Sequence, residues 1–324
     1  MKSIATYSAY LENALQQAHF PTEPANLYDP LGYFLQLGGK RMRPMLSLMA
    51  CKMTGSAFEK ALPAALAVEY FHNFSLIHDD IMDAAPIRRG QATVHEKWNG
   101  NIAILSGDVL LVKAYEQLAK YDSSTFHALF NVFNKTAIEV CEGQQMDMDF
   151  ETMDDVTIDQ YMEMITLKTA VLLAASLKTG GMIAGSDVES CRHLYEFGKN
   201  IGVAFQLQDD ILDVFGDMAK VGKVQGGDII ANKKTFLWIK AFELANHDEL
   251  EELHFWAGNL NADASQKVET VTAIYNRIGI RDMAEAEMSR YFDSAMLNLE
   301  AVDAPSERKS VLTSFAEKLM VREK

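Results

Sequence analysis

Phe74-Ser-Leu-Ile-His-Asp-Asp-Ile-Met-Asp83 and Val203-Ala-Phe-Gln-Leu-Gln-Asp-Asp-Ile-Leu-Asp213 share one pattern, an apolar run ending in Asp-Asp-x-x-Asp. On a helix, residues four apart share a face, so Asp79 and Asp83 point the same way, as do Asp209 and Asp213. Such a like-charge pair costs a helix about a few tenths of a kcal/mol, and nothing in either copy cancels it. One acidic cluster on a surface helix is ordinarily just solvated. Two copies 130 residues apart, each directly after apolar sequence, read instead as carboxylates at the mouth of a buried cavity, where they need cations. With no Cys or paired His nearby, oxygen-only ligands favour Mg2+ over zinc or copper. Mg2+ takes one or two carboxylates per ion, keeps several waters and accepts phosphate oxygens, which suits two sparse clusters facing each other across a diphosphate. A calcium loop is the competing reading and a weak one, because the EF-hand Gly and terminal Glu are absent at both places.

At 324 residues with 48% hydrophobic content, the chain can build a sizeable core. Only 7 Pro and 19 Gly, with 17 Met and many Ala, Leu, Glu and Gln, favour helix nearly throughout, and no run alternates as strands do. The net charge of −15 argues against a nucleic-acid partner, so an anionic substrate needs a local basic patch and metal ions. Cys51, Cys141 and Cys191 are scattered without metal-ligand spacing, which points to a reduced, cytoplasmic setting. The N-terminus has no apolar signal core, and stretches such as Ala170 to Leu177 are too short to span a bilayer. No linker separates domains, so a single domain over residues 1–324 is expected.

Basic residues interleave with the acidic clusters. Gly38-Gly39 opens onto Lys40-Arg41-Met42-Arg43-Pro44 at the start of a helix, where freed backbone N–H groups and cations both favour phosphate. Pro63 starts the helix that carries the first aspartates, and Pro86-Ile-Arg88-Arg89-Gly90 makes a second basic turn just beyond Asp83. Thr157 to Gln160 has the form of a capping box, opening a helix that carries Lys168-Thr169 and that Gly180-Gly181 is expected to close. Lys223 and Lys233-Lys234 follow the second cluster, and Val268, Val271, Ile274 and Ile278 form an apolar stripe for packing.

The ordered set Gly38 to Pro44, Leu76 to Asp83, Arg88-Arg89-Gly90, Gly143-Gln144 to Asp147, Lys168-Thr169 and Phe205 to Asp213, ending at Lys223 and Lys233, strongly resembles the trans-isoprenyl diphosphate synthases, or polyprenyl synthetase family. The resemblance covers nearly the whole chain. It implies an all-α, terpenoid synthase-like helical bundle around a deep central cavity, usually a homodimer, that condenses isopentenyl diphosphate with an allylic diphosphate. It also implies that Asp79, Asp80, Asp83, Asp209, Asp210 and Asp213 hold Mg2+ on the allylic diphosphate, with Arg88, Lys168, Lys223 and Lys233 contacting the same group. Lys40, Arg43, His72 and Arg89 would hold isopentenyl diphosphate, and Lys168, Thr169 and Gln206 would steady the allylic cation. His72 lies seven residues before Asp79, within about 20 degrees of its direction on a helical wheel. His78 and His95 are read as core histidines.

In this family, bulky side chains before the first aspartate motif set the cavity floor, and Phe71, Phe74 and Ser75 occupy those positions. An aromatic at −5 without one at −4 resembles the geranylgeranyl type, which favours a C20 product over C15. Phe71, one turn deeper, is the alternative stop and implies a longer chain. A terpene cyclase lacks the Lys40/Arg43 site, and a silent subunit of a heteromeric prenyltransferase commonly loses an aspartate motif. Both features are retained.

Overall fold

The computed structural model of the chain describes residues 3–216, 226–259 and 263–320. The helices run in the order α1 (Ile4–Gln16), α2 (Ala25–Gln36), α3 (Met42–Met53), α4 (Leu62–Met82), α5 (Val94–Lys97), α6 (Gly100–Leu118), α7 (Ser123–Phe150) and α8 (Ile158–Ile165). A π-helical segment, Thr166–Ala170, leads into α9 (Val171–Ala184), and then come α10 (Val188–Phe215), α11 (Gly227–Ile230), α12 (Phe236–Leu244), α13 (His247–Gly258), α14 (Ala264–Ile278), α15 (Ile280–Ala301) and α16 (Ser306–Met320). Among the described residues the only strands are the two-residue arms of one hairpin, β1 (Ile87–Arg88) and β2 (Gln91–Ala92). The all-α expectation therefore holds. The chain divides into two compact units, Met1–Ala137 with Ala175–Tyr195 and Glu300–Leu312, and Ile138–Ala174 with Glu196–Leu299 and Thr313–Lys324.

The first unit is organised around α4. Pro63 sits in its first turn, where a missing N–H costs nothing. Its buried residues Ala64, Ala67, Val68, Tyr70, Phe71 and Ile77 lie all round the helix, the mark of a central element. Helices α3 and α6 flank it. The His78 ring occupies the space that a side chain at Gly107 would fill, with Nε2 at 3.1 Å from the Ile104 carbonyl, so the partly exposed His78 links α4 to α6 rather than sitting in the core. Gly180 and Gly181 do not close α9, which continues to Ala184. They are packing glycines: a side chain on Gly180 would strike the Ser47 carbonyl of α3, and one on Gly181 would strike Leu194.

In the second unit, Tyr161, Ile165, Leu207, Val214, Leu237, Leu253 and Ile274 share one core. The stripe on α14 does pack inward, with Val271 and Ile274 fully buried. The Thr157 capping box is formed: its hydroxyl accepts from the Gln160 N–H while the Gln160 side chain accepts from the Thr157 N–H. The helical run from Ile158 to Ala184 exceeds the apolar stretch read from sequence, and it is long and apolar enough to meet a membrane-span criterion by length and composition. With 61% of its apolar window buried inside the protein, it reads as a core helix.

The π-helical segment is gripped from two sides. A Cβ on Gly143 of α7 would collide with the Lys168 backbone, and one on Gly202 of α10 would come within 2.5 Å of Ala170 Cα. These glycines let two helices close on the segment that carries Lys168 and Thr169. Gly202→Ala is expected to destabilise the fold by about 1–3 kcal/mol through overpacking, despite alanine's better helix propensity, as read by chemical denaturation.

Candidate active site

In the first unit the basic loop 38–43 is built on a buried arginine. Arg41 takes a left-handed conformation (φ 46°) and turns inward, donating to Glu69 Oε1, to Glu12 Oε1 at 3.1 Å and to the Leu35 carbonyl. Asn73 Nδ2 holds the same Glu69 oxygen at 2.9 Å. With Arg41 consumed by the core, its neighbours Lys40, exposed, and Arg43, half-buried, are left on the outer side of the loop. Arg43 Nη1 lies 3.2 Å from His72 Nε2.

The hairpin brings the next two cations. Its register pairs Ile87 with Ala92 and Arg88 with Gln91, leaving Arg89-Gly90 as a two-residue turn with φ of 53° and 76°. Positive φ at both central positions is the type I′ geometry that twisted hairpins demand, usually met by Asn-Gly. Here an arginine accepts the strain. Its guanidinium donates to the Gly38 carbonyl and lies flat against Gly39, where a Cβ would come within 2.8 Å of Cζ. That contact and the positive φ of Gly38 and Gly39 explain the glycine pair.

These groups act together on His72. Burial, then the guanidiniums of Arg43, Arg89, Arg88 and Arg41 in that order, hold its imidazole well below the usual pKa of 6.5. Arg41 and Arg88 are already paired with Glu69 and Asp80, and Arg43 is the guanidinium within hydrogen-bond reach of the imidazole. Arg88 is committed further: Nε meets both Asp80 oxygens at 2.8 and 2.9 Å, and Nη2 lies 3.7 Å from Asp79 Oδ2. Asp80 is thus neutralised within the protein, while Asp79, partly exposed, and Asp83, exposed at the end of α4, share the face predicted for them. Phe71 is buried, with Phe74 at 5.6 Å and Phe133 at 5.5 Å between ring centroids. Phe74 is only half-buried, and the Ser75 hydroxyl bonds back to the His72 carbonyl at 2.9 Å.

The second unit meets the same problem differently. Asp210 is buried, its oxygens held by the Tyr161 hydroxyl and, at 3.1 Å, by Gln206 Nε2. Burial, with Asp228 and Asp209 nearby, outweighs those bonds and pushes its pKa up to about 8. Gln206 Oε1 accepts in turn from Thr169 at 3.3 Å, and Lys168 pairs with Asp147 at 2.5 Å, so the π-helical segment and α10 are joined by side chains as well as by glycine contact. Asp213 Oδ2 accepts from the Asp228 N–H at 3.0 Å, and Lys233, exposed, returns its own N–H to the Asp228 carbonyl at 2.9 Å. Lys223 lies outside the described residues.

Mg2+ requires oxygen ligands that leave room for water and phosphate. The carboxylates are oxygen ligands, and an acid raised to about 8 by burial, with carboxylates nearby, is one that a cation would ionise. Among the described residues no three His, Cys, Asp or Glu side chains gather into a closed cage. What fits Mg2+ is the donor chemistry, oxygen ligands alone at Asp79, Asp83, Asp209 and Asp213.

Residues 24–278 match the family model for polyprenyl synthetase. The chain belongs to the polyprenyl synthetase family. A geranylgeranyl diphosphate synthase of Methanosarcina mazei is 44% identical over 242 residues, 74% of this chain and 75% of that protein. A short chain isoprenyl diphosphate synthase of Methanothermobacter thermautotrophicus is 35% identical over 324 residues, covering 100% of this chain and 98% of its own length. The crystal structure of a geranylgeranyl pyrophosphate synthase superposes with a TM-score of 0.95 at 45% identity, each chain covered in full. The family's terpenoid synthase-like helical fold is therefore the fold of this chain.

Within this polyprenyl synthetase, several residues that shape the site carry no sequence motif. Glu69 and Asn73 stand one turn apart on α4 and fix Arg41, Tyr161 fixes Asp210, and Asp228 joins Asp213 to Lys233. The available signal is Glu69, an acid within the otherwise apolar stretch 62–71, with Asn73 four residues on. The lowered pKa of His72 makes an NMR prediction. Its folded pKa lies below the unfolded 6.5, so the stability it contributes is present above 6.5 and is lost as pH falls through the folded value. A bound diphosphate favours imidazolium, so isopentenyl diphosphate should move the His72 titration to higher pH; an unmoved resonance would separate His72 from the anion.

Proposed function

We propose that this chain is a Mg2+-dependent prenyltransferase that condenses isopentenyl diphosphate head to tail with dimethylallyl, geranyl or farnesyl diphosphate, with C20 favoured over C15 as the all-trans product. The whole chain serves as one catalytic domain. The observation that carries the reading is Arg43 Nη1 at 3.2 Å from His72 Nε2, on the helix whose C-terminal end presents Asp79 and Asp83. Names of the relatives support the chain length, two of those compared being geranylgeranyl diphosphate synthases.

In this reading Lys40, Arg43, His72 and Arg89 bind the isopentenyl diphosphate. Asp79, Asp83, Asp209 and Asp213 hold Mg2+, with Asp80 and Asp210 beside them, and Arg88, Lys168, Lys223 and Lys233 bind the allylic diphosphate. Bound Mg2+ supplies neutralisation of the charge that builds on the departing diphosphate. The allylic C–O bond breaks with its electron pair leaving on the diphosphate, and Thr169, Gln206 and Lys168 line the resulting cation. The isopentenyl double bond attacks it to form the new C–C bond, and a proton from the isopentenyl unit passes to the released diphosphate. No protein base is required. Phe74, half-open and backed by the enclosed Phe71, sets the depth for the growing chain.

Purified protein with Mg2+, isopentenyl diphosphate and each allylic primer should give elongated products; no elongation with any primer overturns the reading. Asp79→Ala and Asp209→Ala should each lower kcat by about a hundredfold or more. Phe74→Ala should lengthen the product, and an unchanged chromatogram would remove Phe74 as the ruler. The enzyme is also proposed to be a homodimer, supported by the exposed Ile104, Leu105 and Val112 on α6. Leu105→Asp should then convert dimer to monomer in light scattering.

A further inference from the structure

Lys267 on α14 is 6% exposed, and its ammonium donates to Asn232 Oδ1 at 2.6 Å and to the Ile230 carbonyl at 3.1 Å. The Ile230 carbonyl ends the short helix α11, where no intrahelical donor remains and a cation is favoured. Asn232 stands in the left-handed region at φ 53°, which asparagine tolerates better than most residues. Its amide donates across to the Ala257 carbonyl of α13 at 3.0 Å. Residues 230–232 are thus bolted to α13 and α14 from outside. On the inner side the same short stretch carries the chemistry: the Lys233 N–H donates to the Asp228 carbonyl, the Asp228 N–H donates to Asp213 Oδ2, and the Gly226 N–H donates to the Asp213 carbonyl at 2.8 Å.

We infer that Lys267 is a positioning residue for diphosphate binding: through Asn232 and Ile230 it fixes the spacing between Lys233 and the aspartates of the second cluster. An ammonium costs free energy to bury, and an apolar side chain of the same length would fill the space more cheaply. What the lysine adds is a set geometry for the backbone between Asp228 and Lys233. The inference rests on the proposed prenyltransferase reading, in which Lys233 and Asp213 meet the allylic diphosphate.

Lys267→Met keeps the stem and removes the donor, and Asn232→Gly keeps the left-handed backbone while removing both external bonds. Each is expected to raise KM for the allylic substrate about tenfold, the loss of one charge-assisted contact, with KM for isopentenyl diphosphate and kcat held within about twofold. Calorimetry with Mg2+ and inorganic diphosphate should show the same loss of affinity without turnover. Inactive wild-type protein overturns the prenyltransferase reading. Active wild-type protein whose variants lose only thermal stability, or whose two KM values rise together, overturns the role of Lys267 alone. If Lys267→Met does not fold, Asn232→Gly carries the test by itself.

Discussion

A carboxylate drawn out of water must either meet a positive charge or surrender its own, and both units are shaped by how they meet that demand. In the first unit arginines answer it. Arg41 goes inward to Glu69, and Arg88 spans both oxygens of Asp80. Each pairing satisfies a buried acid, Glu69 or Asp80, while Lys40 and Asp83 nearby in the sequence stay exposed. In the second unit no arginine is paired with Asp210 among the described residues. A tyrosine, a glutamine and two nearby carboxylates surround it, and its pKa rises to about 8. One buried acid is compensated by the protein's own arginine; the other is left with a raised pKa.

The motifs were legible because their chemistry is periodic or compositional. Two Asp-Asp-x-x-Asp repeats, two glycine-flanked basic turns and the Thr157 capping box can all be recognised without distances. Glu69, Tyr161, Asp228 and Lys267 could not be, since each acts through a partner from 15 to 49 residues away in the chain. The glycines of α9 were misread for a related reason. Gly180-Gly181 has the composition of a helix end, yet what sets its conformation is the backbone of α3 passing where a side chain would stand. Local propensity gave way to packing. The strained Arg89 likewise reads as one more basic residue until the hairpin register shows it in a position that ordinarily belongs to asparagine or glycine.

Strain and crowding carry much of the pre-organisation in the first unit. Arg41 and Arg89 both hold positive φ, a state that costs about 1–3 kcal/mol per residue and persists only where surroundings over-determine it. Arg41 is secured by three acceptors, and Arg89 is secured by the Gly38 carbonyl and the bare face of Gly39. In the proposed reading, an anion arriving beside His72 finds the Arg43 and Arg89 side chains already in place.

The π-helical segment at Thr166–Ala170 has a bearing on the chain's tolerance to insertion and deletion. Such a bulge amounts to one residue more than a regular helix would use over the same length, and it shifts the phase of everything after it by about 100 degrees. The faces of α8 and α9 are set on either side of that shift. Removing a single residue here would restore an ordinary helix and swing Lys168 and Thr169 away from Asp147 and Gln206, even though every motif in the sequence would still be present. A variant of this kind would look complete when its residues were counted and be wrong in register.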